Sequence, residues 1–337
     1  ATQRGVERQI AAILGRAWVV RSQRVPTVAP FLRDDATFAD AFAFQSEMVD
    51  ADKLFVVSVT ESQGAYAVQI RELDSEVQQW GPTLSFALSQ PQQATNRIAN
   101  GVLHAFRPIA KIGRVRQGQA ALEPRAGMLA ADVFSPLLPQ PGQALAAVLT
   151  KLGSQADGVS KEVQPVPWTT LVVEETARDR VDCQLVSGLR APLRTRSARD
   201  VQRFAVTLLP IASSTTLQLV SREDGRPLAG YDVFQRPYGT KANQLVGRSD
   251  YQGRLLLPRT DDVVHTYYVR HGSALLAKLP LVVGAQPEVI VDLPDDSLRL
   301  AVEGYLKGIE DRLLDAVITR ETKIIRARQA LLDVGGT

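Results

Sequence analysis

Cysteine is almost absent: Cys183 stands alone in 337 residues, so no disulfide can form within the chain. It lies in Val181-Asp182-Cys183-Gln184-Leu185-Val186, which reads as a strand in which a lone thiol packs as a small apolar side chain. Histidine is nearly as scarce. His104, His265 and His271 show neither HxxxH nor HExxH spacing, and none is near Cys183 in sequence, which leaves a zinc site without visible ligands. Phosphate loops of the standard spacings are missing too, because Gly225 and Gly230 fall in a strand hairpin rather than between a strand and a helix. Ser187-Gly188 lacks the GxSxG context of a nucleophile elbow. The acid pairs Glu174-Glu175, Asp261-Asp262 and Asp295-Asp296 lack EF-hand spacing and read as solvated turns at strand ends. No catalytic residue, metal or cofactor is expected, and the chain reads as non-enzymatic.

Strong net charge is also lacking. The 39 basic residues nearly balance 36 acidic ones, and a formal charge of +3 does not mark a nucleic-acid binder. No apolar run approaches the roughly 20 residues that a membrane-spanning helix needs. The first residues, Ala1-Thr2-Gln3-Arg4-Gly5, carry no hydrophobic signal core, and a start at Ala without Met fits a mature end left by signal-peptide removal. The scarcity of cysteine suits the cytoplasm and a periplasmic protein without disulfides equally.

What is present is a globular composition, 45% hydrophobic and 22% charged, with 19 Pro and 23 Gly that favour many short strands and turns. The length suits several cores. The expected fold class is multidomain α+β: an N-terminal α+β domain over residues 1–112, a β-rich barrel or sandwich over 113–212, an antiparallel β-sandwich over 213–295 and a long C-terminal helix over 296–337.

In the first region, Val6, Ile10, Ile13, Leu14 and Ala17 share one face of a helix running to Trp18, and a second short helix is expected over Phe38–Phe44 behind Asp34-Asp35-Ala36-Thr37. Lys53–Val59 and Tyr66–Leu73 read as a hairpin with one wet face, followed by a strand through Leu88 and a helix carrying Ile98, Val102, Ala105 and Phe106. The run from Ala51 to Val59, the hairpin with Arg71-Glu72-Leu73-Asp74 and the helix after it resemble the small α+β domain of several bacterial envelope proteins. These are the curli-secretion lipoprotein, the penicillin-binding-protein activator lipoproteins, the amino-terminal domain of the Tol-Pal β-propeller protein and the periplasmic flagellar ring proteins. That resemblance implies a periplasmic interaction domain without catalytic residues.

In the middle region Arg114-Val115-Arg116, Thr169–Glu175, Arg180–Val186 and Phe204–Leu209 read as strands, and a closed barrel or a sandwich would leave no edge unpaired. Gln143–Leu152 fits a short helix and a strand equally. Further on, Leu217–Ser221, Leu228–Gln235, Gln244–Arg248, Gly253–Leu257, His265–Arg270, Ala277–Val283 and Glu288–Leu293 keep the cadence of a β-sandwich. Within it, Asp224-Gly225-Arg226-Pro227-Leu228-Ala229-Gly230 and then Ser249-Asp250-Tyr251-Gln252-Gly253 resemble the carboxypeptidase regulatory-like, transthyretin-like family. Its pattern is a D-G-x-P-L-x-G strand pair before a T-D-x-x-G hairpin, and Ser249 stands where Thr is commoner. The resemblance spans residues 215–294 and implies a non-enzymatic accessory or adhesive module.

Leu298–Leu332 contains no proline, and Val302, Leu306, Ile309, Leu313, Val317, Ile324, Ala327 and Leu331 recur at helical spacing. Asp295 or Ser297 can cap its start, and Gly335-Gly336 follow its end. Such a helix spans roughly 50 Å at 1.5 Å per residue, more than the adjoining sandwich covers. Val302, Leu306, Ile309, Leu313, Val317, Ile324 and Leu331 are therefore the first candidate partner contacts, met by the N-terminal domain or by another subunit. A basic loop carrying Arg190, Arg194, Arg196, Arg199 and Arg203 is the second, suited to lipid phosphate, glycan acids or an acidic partner. The expected role is a scaffolding subunit of a periplasmic or cell-envelope complex, with other envelope proteins as partners and self-assembly into a homo-oligomer or larger structure. Two alternatives stand beside it: a module that binds peptidoglycan, glycan or a secretion or flagellar ring, and an enzyme with an unrecognised site.

Overall fold

A computed structural model of the chain describes residues 3–15, 18–25, 27–38, 51–62, 65–155, 158–193 and 201–334. The first element is helix α1 (Gln3–Leu14), with Ile10 on its buried side. Helical spacing predicts continuation to Trp18, but the helix stops at Leu14. Gly15 takes φ +88° and its N–H reaches back to Ala11 O at 3.0 Å, a left-handed C-terminal turn that glycine adopts cheaply. Trp18 then meets Phe106 edge-on, with ring centroids 6.1 Å apart. The short helix expected over Phe38–Phe44 lies, beyond Phe38, outside the described residues.

Strands β1 (Lys53–Ser62) and β2 (Ala65–Asp74) pair antiparallel, with Lys53 opposite Asp74; β3 (Gln79–Trp80) and β4 (Leu84–Leu88) both pair with β2. Helix α2 (Ala94–Ala105) and α1 cover one face, closing a core of Val68, Ile70, Leu88, Ile98, Ala99 and Val102. Gly101 permits this approach: a Cβ there would lie 2.6 Å from Ile70 Cδ1 and 2.8 Å from Phe86 Cε1. The expected wet face exists only along the first half of β2, where exposed Ala65, Ala67 and Gln69 alternate with Val68 and Ile70. From Ile70 to Asp74 every residue is buried. Arg71 is covered by the backbone it donates to, the carbonyls of Gly81, Phe31 and Arg33. Glu72 is covered by Arg107 and Lys53.

The middle of the chain closes into a barrel in the order β10 (Val201–Thr207), β5 (Ile109–Arg116), β6 (Gln119–Pro124), β9 (Val181–Ser187), β8 (Gly158–Thr176), β7 (Ala144–Gln155). Closure resolves the stretch that local spacing leaves open. From Ala144 onward that stretch is strand, held along one edge by β8 and along the other by β10. Its interior is small because the barrel is narrow: Ala110, Ala120, Ala147 and Ala205 interdigitate with Ile112, Leu122, Leu145, Leu171 and Val173. Cys183 belongs to this core, 1% exposed.

The third unit stacks a three-stranded sheet, β14 (Arg254–Pro258), β11 (Ser214–Ser221), β17 (Glu288–Leu293), on a four-stranded one, β13 (Gln244–Arg248), β12 (Asp232–Pro237), β15 (His265–His271), β16 (Ala274–Leu281). β11 alternates half-buried and buried residues along its whole length, and its inward Leu217 and Leu219 meet Tyr231, Val233, Leu257, Tyr267, Val269 and Val291. Residues 228–231, expected as strand, are irregular and lead into β12 instead. Leu228 N–H is bonded to Leu219 O, and the Gly230 N–H to Ser249 O.

These units share packed seams. Val77, beside β3, joins Ile109, Val148, Phe204 and Val206 of the barrel. Glu76 receives both Lys161 and Arg125. Trp168 on β8 holds φ +51° and packs on the sandwich core, while Ala144 and Val172 meet Val264 and Val282. The last element, α3 (Ser297–Val334), follows β17.

Candidate interaction surface

Helix α3 leaves the sandwich through a clasp built on the Asp295-Asp296 pair, which sequence reading takes for a solvated turn. Asp295 Oδ2 accepts from Arg226 at 2.6 Å and its Oδ1 accepts the Ser297 N–H at 3.0 Å. Asp296 accepts from Arg299 Nε at 2.7 Å and Nη2 at 2.5 Å, and its own N–H donates to the Tyr231 hydroxyl at 3.3 Å. The Arg299 guanidinium also donates to His271 O and to Glu303, and Glu303 accepts from Ser273 at 2.7 Å. Tyr231 stacks on the His271 ring at 4.2 Å. The hydrogen bonds from Arg299 hold the Asp296 carboxyl below the usual carboxylate range, against the opposing pull of its partial burial. At Gly272 a Cβ would come within 2.6 Å of Leu300 Cδ1, so the β15–β16 turn seats the first helical turn closely. The signal available in sequence was a helix start: an acid two residues ahead of the first helical residue is a capping pattern.

Beyond Glu303 no described residue outside the helix bonds to it. Every residue from Ala301 to Lys323 is exposed. On the stripe singled out from sequence, Val302, Leu306, Ile309, Leu313 and Val317 remain between 42% and 66% exposed, and Ile324 is half-buried. The Leu331 side chain lies outside the described residues. Among the described residues no part of the N-terminal domain covers the stripe. A second set of apolar residues, Leu314, Ile318 and Ile325, is exposed on a different side of the helix. The three-and-four spacing that picks out the first stripe passes over them, because it follows one face at a time.

Of the basic loop, Arg190 is exposed. Arg203 is half-buried and donates to Leu193 O at 3.2 Å and Gly113 O at 3.0 Å, tying the loop's end into the barrel wall. Arg194, Arg196 and Arg199 lie outside the described residues.

His104 is exposed, His265 is buried beside Thr260 with Asp262 at 3.8 Å, and His271 serves the helix clasp. Burial lowers the pKa of His265 and pushes the Cys183 thiol up to about 12, so Cys183 is an unreactive core residue. Among the described residues no group of three or more His, Cys, Asp or Glu is placed to hold a metal ion. A cavity of about 50 Å³, lined by Trp18, Lys53, Asp74, Phe106 and Arg125 among others, includes neither His265 nor His271. It is far below the roughly 300 Å³ at which small-molecule sites begin. No described helix is long and apolar enough to cross a membrane.

No family model matches the chain, and no curated protein matches it. Among solved structures, it is similar to BcpA, the major pilin subunit of Bacillus cereus, at 8% identity over 72% of this chain and 70% of that one, with a TM-score of 0.20. It is also similar to TolB from Acinetobacter baumannii at 13% identity over 83% of this chain and 80% of that one, with a TM-score of 0.21. At those TM-scores no common fold is established.

Proposed function

We propose that the chain is a non-enzymatic structural subunit of a bacterial cell-envelope assembly, working in the periplasm through protein-protein contacts and through self-association. The observation that carries the assembly is α3. A 38-residue helix is clasped at one end and exposes apolar side chains along its free length, an arrangement that monomeric soluble proteins avoid. A rigid barrel and sandwich give that helix a fixed base. The envelope compartment is supported by the likeness of about residues 5–112 to the envelope α+β domain. The accessory role is supported by the likeness of residues 215–294 to the carboxypeptidase regulatory-like module, whose two-sheet architecture is compatible with the seven strands described here.

Light scattering on the full chain and on a chain ending at Ser297 tests the assembly. The full chain is expected to give a multiple of 36.7 kDa and the shortened one a monomer. A full chain that is already a monomer of 36.7 kDa, with the shortened one also a monomer of its own mass, would sink the reading. Fractionation of expressing cells tests the compartment; recovery with cytoplasmic markers argues against it.

A further inference from the structure

The outer face of the four-stranded sheet collects cations that nothing described in the chain neutralises. Register puts Leu245, Phe234, Tyr268 and Lys278 in one row across β13, β12, β15 and β16, on the side opposite the inward Val233, Tyr267 and Val269. Two arginines reach into this row diagonally, from opposite sides. Arg270 lies over the Phe234 ring, its guanidinium carbon 5.4 Å from the centroid, and Arg236 lies over the Tyr268 ring at 4.7 Å. Because Phe234 and Tyr268 are directly opposed, the two guanidiniums stand over adjacent strands and the exposed Lys278 occupies the next, at a strand spacing of about 4.8 Å. The only acid on these four strands, Asp232, is taken by Arg248 at 2.8 Å. Arg236 donates to Asn243 Oδ1 at 2.8 Å, but among the described residues Arg236, Arg270 and Lys278 have no ion-pair partner. Gly188 of the barrel packs so closely on Lys278 O that a Cβ has no room there, and exposed Arg190 follows two residues on, so the basic row continues toward the barrel loop.

Like charges held side by side repel, and carboxylates laid across them remove the repulsion while accepting several N–H bonds at once. Packing over the rings already restrains both guanidiniums, so little ordering is left to be done on binding. The face also narrows what carries the charge. Tyr268 is only 9% exposed beneath Arg236 and Phe234 is half-buried beneath Arg270, which leaves no bare ring for a nucleobase or a sugar to stack on. Leu245 and Leu275, on the same face, are 55% and 52% exposed, and a partner with apolar side chains among its acids covers them where a polysaccharide does not. We infer that this face of the sandwich is a docking surface for an acidic segment of a partner protein, its carboxylates bridging Arg270, Arg236 and Lys278 and its apolar residues covering Leu245 and Leu275. The contact is separate from α3 and goes beyond the assembly reading.

Fluorescence anisotropy on the full chain at low ionic strength tests it, with a labelled peptide of repeated Glu-Asp-Leu and a Gln-Asn-Leu repeat as its uncharged counterpart. The acidic peptide should bind saturably and the uncharged one should not. R236Q, R270Q and K278Q together should weaken binding roughly 10-fold, as loss of exposed ion pairs does, and added salt should weaken it too. Lys278→Glu alone, at an exposed position, should also weaken it, which keeps the result independent of the stacked arginines. K111Q, K151Q and R222Q remove the same charge from exposed positions elsewhere and should leave binding unchanged. Equal loss in the two triple variants, or no binding at all, would overturn the inference. Capture of polygalacturonate or of phosphatidylglycerol vesicles through the same three residues, with the peptide left unbound, would overturn a protein partner in favour of a polysaccharide or a lipid surface. A full chain that is monomeric by light scattering overturns the assembly reading and leaves this contact standing.

Discussion

The end of β2 and the free length of α3 invert the usual distribution of residues. Over Arg71, Glu72, Leu73 and Asp74 the chain buries three charged side chains beside one leucine, each 5% exposed or less. Over Leu313, Leu314, Val317 and Ile318 it leaves four large apolar side chains about half exposed. In the first region every charge has a partner at hand: Glu72 takes Arg107 Nε at 2.7 Å, the Arg107 N–H at 3.0 Å and Lys53 Nζ at 2.5 Å, and Lys53 also stands 2.8 Å from Asp74. In the second no described residue of the same chain comes near. Burial thus follows the supply of partners more closely than residue type, and an apolar row without one marks where another surface belongs.

The largest expected break is Glu72→Ala. It leaves Arg107 and Lys53 buried without their shared carboxylate and should destabilise the first domain by about 3–5 kcal/mol in urea unfolding; a loss under about 1 kcal/mol would mean that water reaches the site. Leu171→Ala in the barrel, where the side chain is fully buried, should cost about 2–5 kcal/mol by the same measurement. A milder effect is expected on acidification. Buried neutral His265 has a folded pKa below its ordinary value of 6.5, so the unfolded chain binds the proton more readily. The stability it supplies is whole above about pH 6.5 and drains as pH falls from there toward the lowered folded value. His265→Gln should flatten that part of the stability profile, and an unchanged slope would assign the titration elsewhere. The smallest effect on folding should come from Leu313→Ala with Ile318→Ala. At dilutions where the chain is monomeric, these should shift its stability by less than about 0.5 kcal/mol per site while lowering the assembled mass at high concentration. A loss comparable with that of Leu171→Ala would show the stripe to be covered within the monomer after all.

Much of the framework was legible beforehand because strand cadence and turn chemistry are local. The seven segments of the sandwich, the 53–74 hairpin and the long helix all lie close to where periodicity puts them. What stayed hidden depends on contacts between distant residues. Helix α1 ends at Gly15, but nothing local tells its left-handed turn from a glycine inside a longer helix. Asp295-Asp296 resembles any exposed turn until Arg226, Tyr231 and His271 are brought beside it from elsewhere in the sandwich. At the candidate interface, spacing found the first apolar stripe and missed the second.

By itself, then, the sequence determines the order of elements, the two-residue alternation of β11, the packing role expected of a lone cysteine, and a terminal helix longer than its neighbours can cover. Tertiary structure decides that Ala144–Leu152 is strand, because an open barrel edge on each side accepts its backbone. It decides that Arg71, Glu72 and Asp74 are interior, because Phe31, Arg33, Gly81, Lys53 and Arg107 converge on them. It also decides that, among the described residues, nothing covers the apolar side chains of α3 between Val302 and Val317. Periodicity records which side of an element is apolar, whereas only the placement of every other element determines whether anything lies against that side.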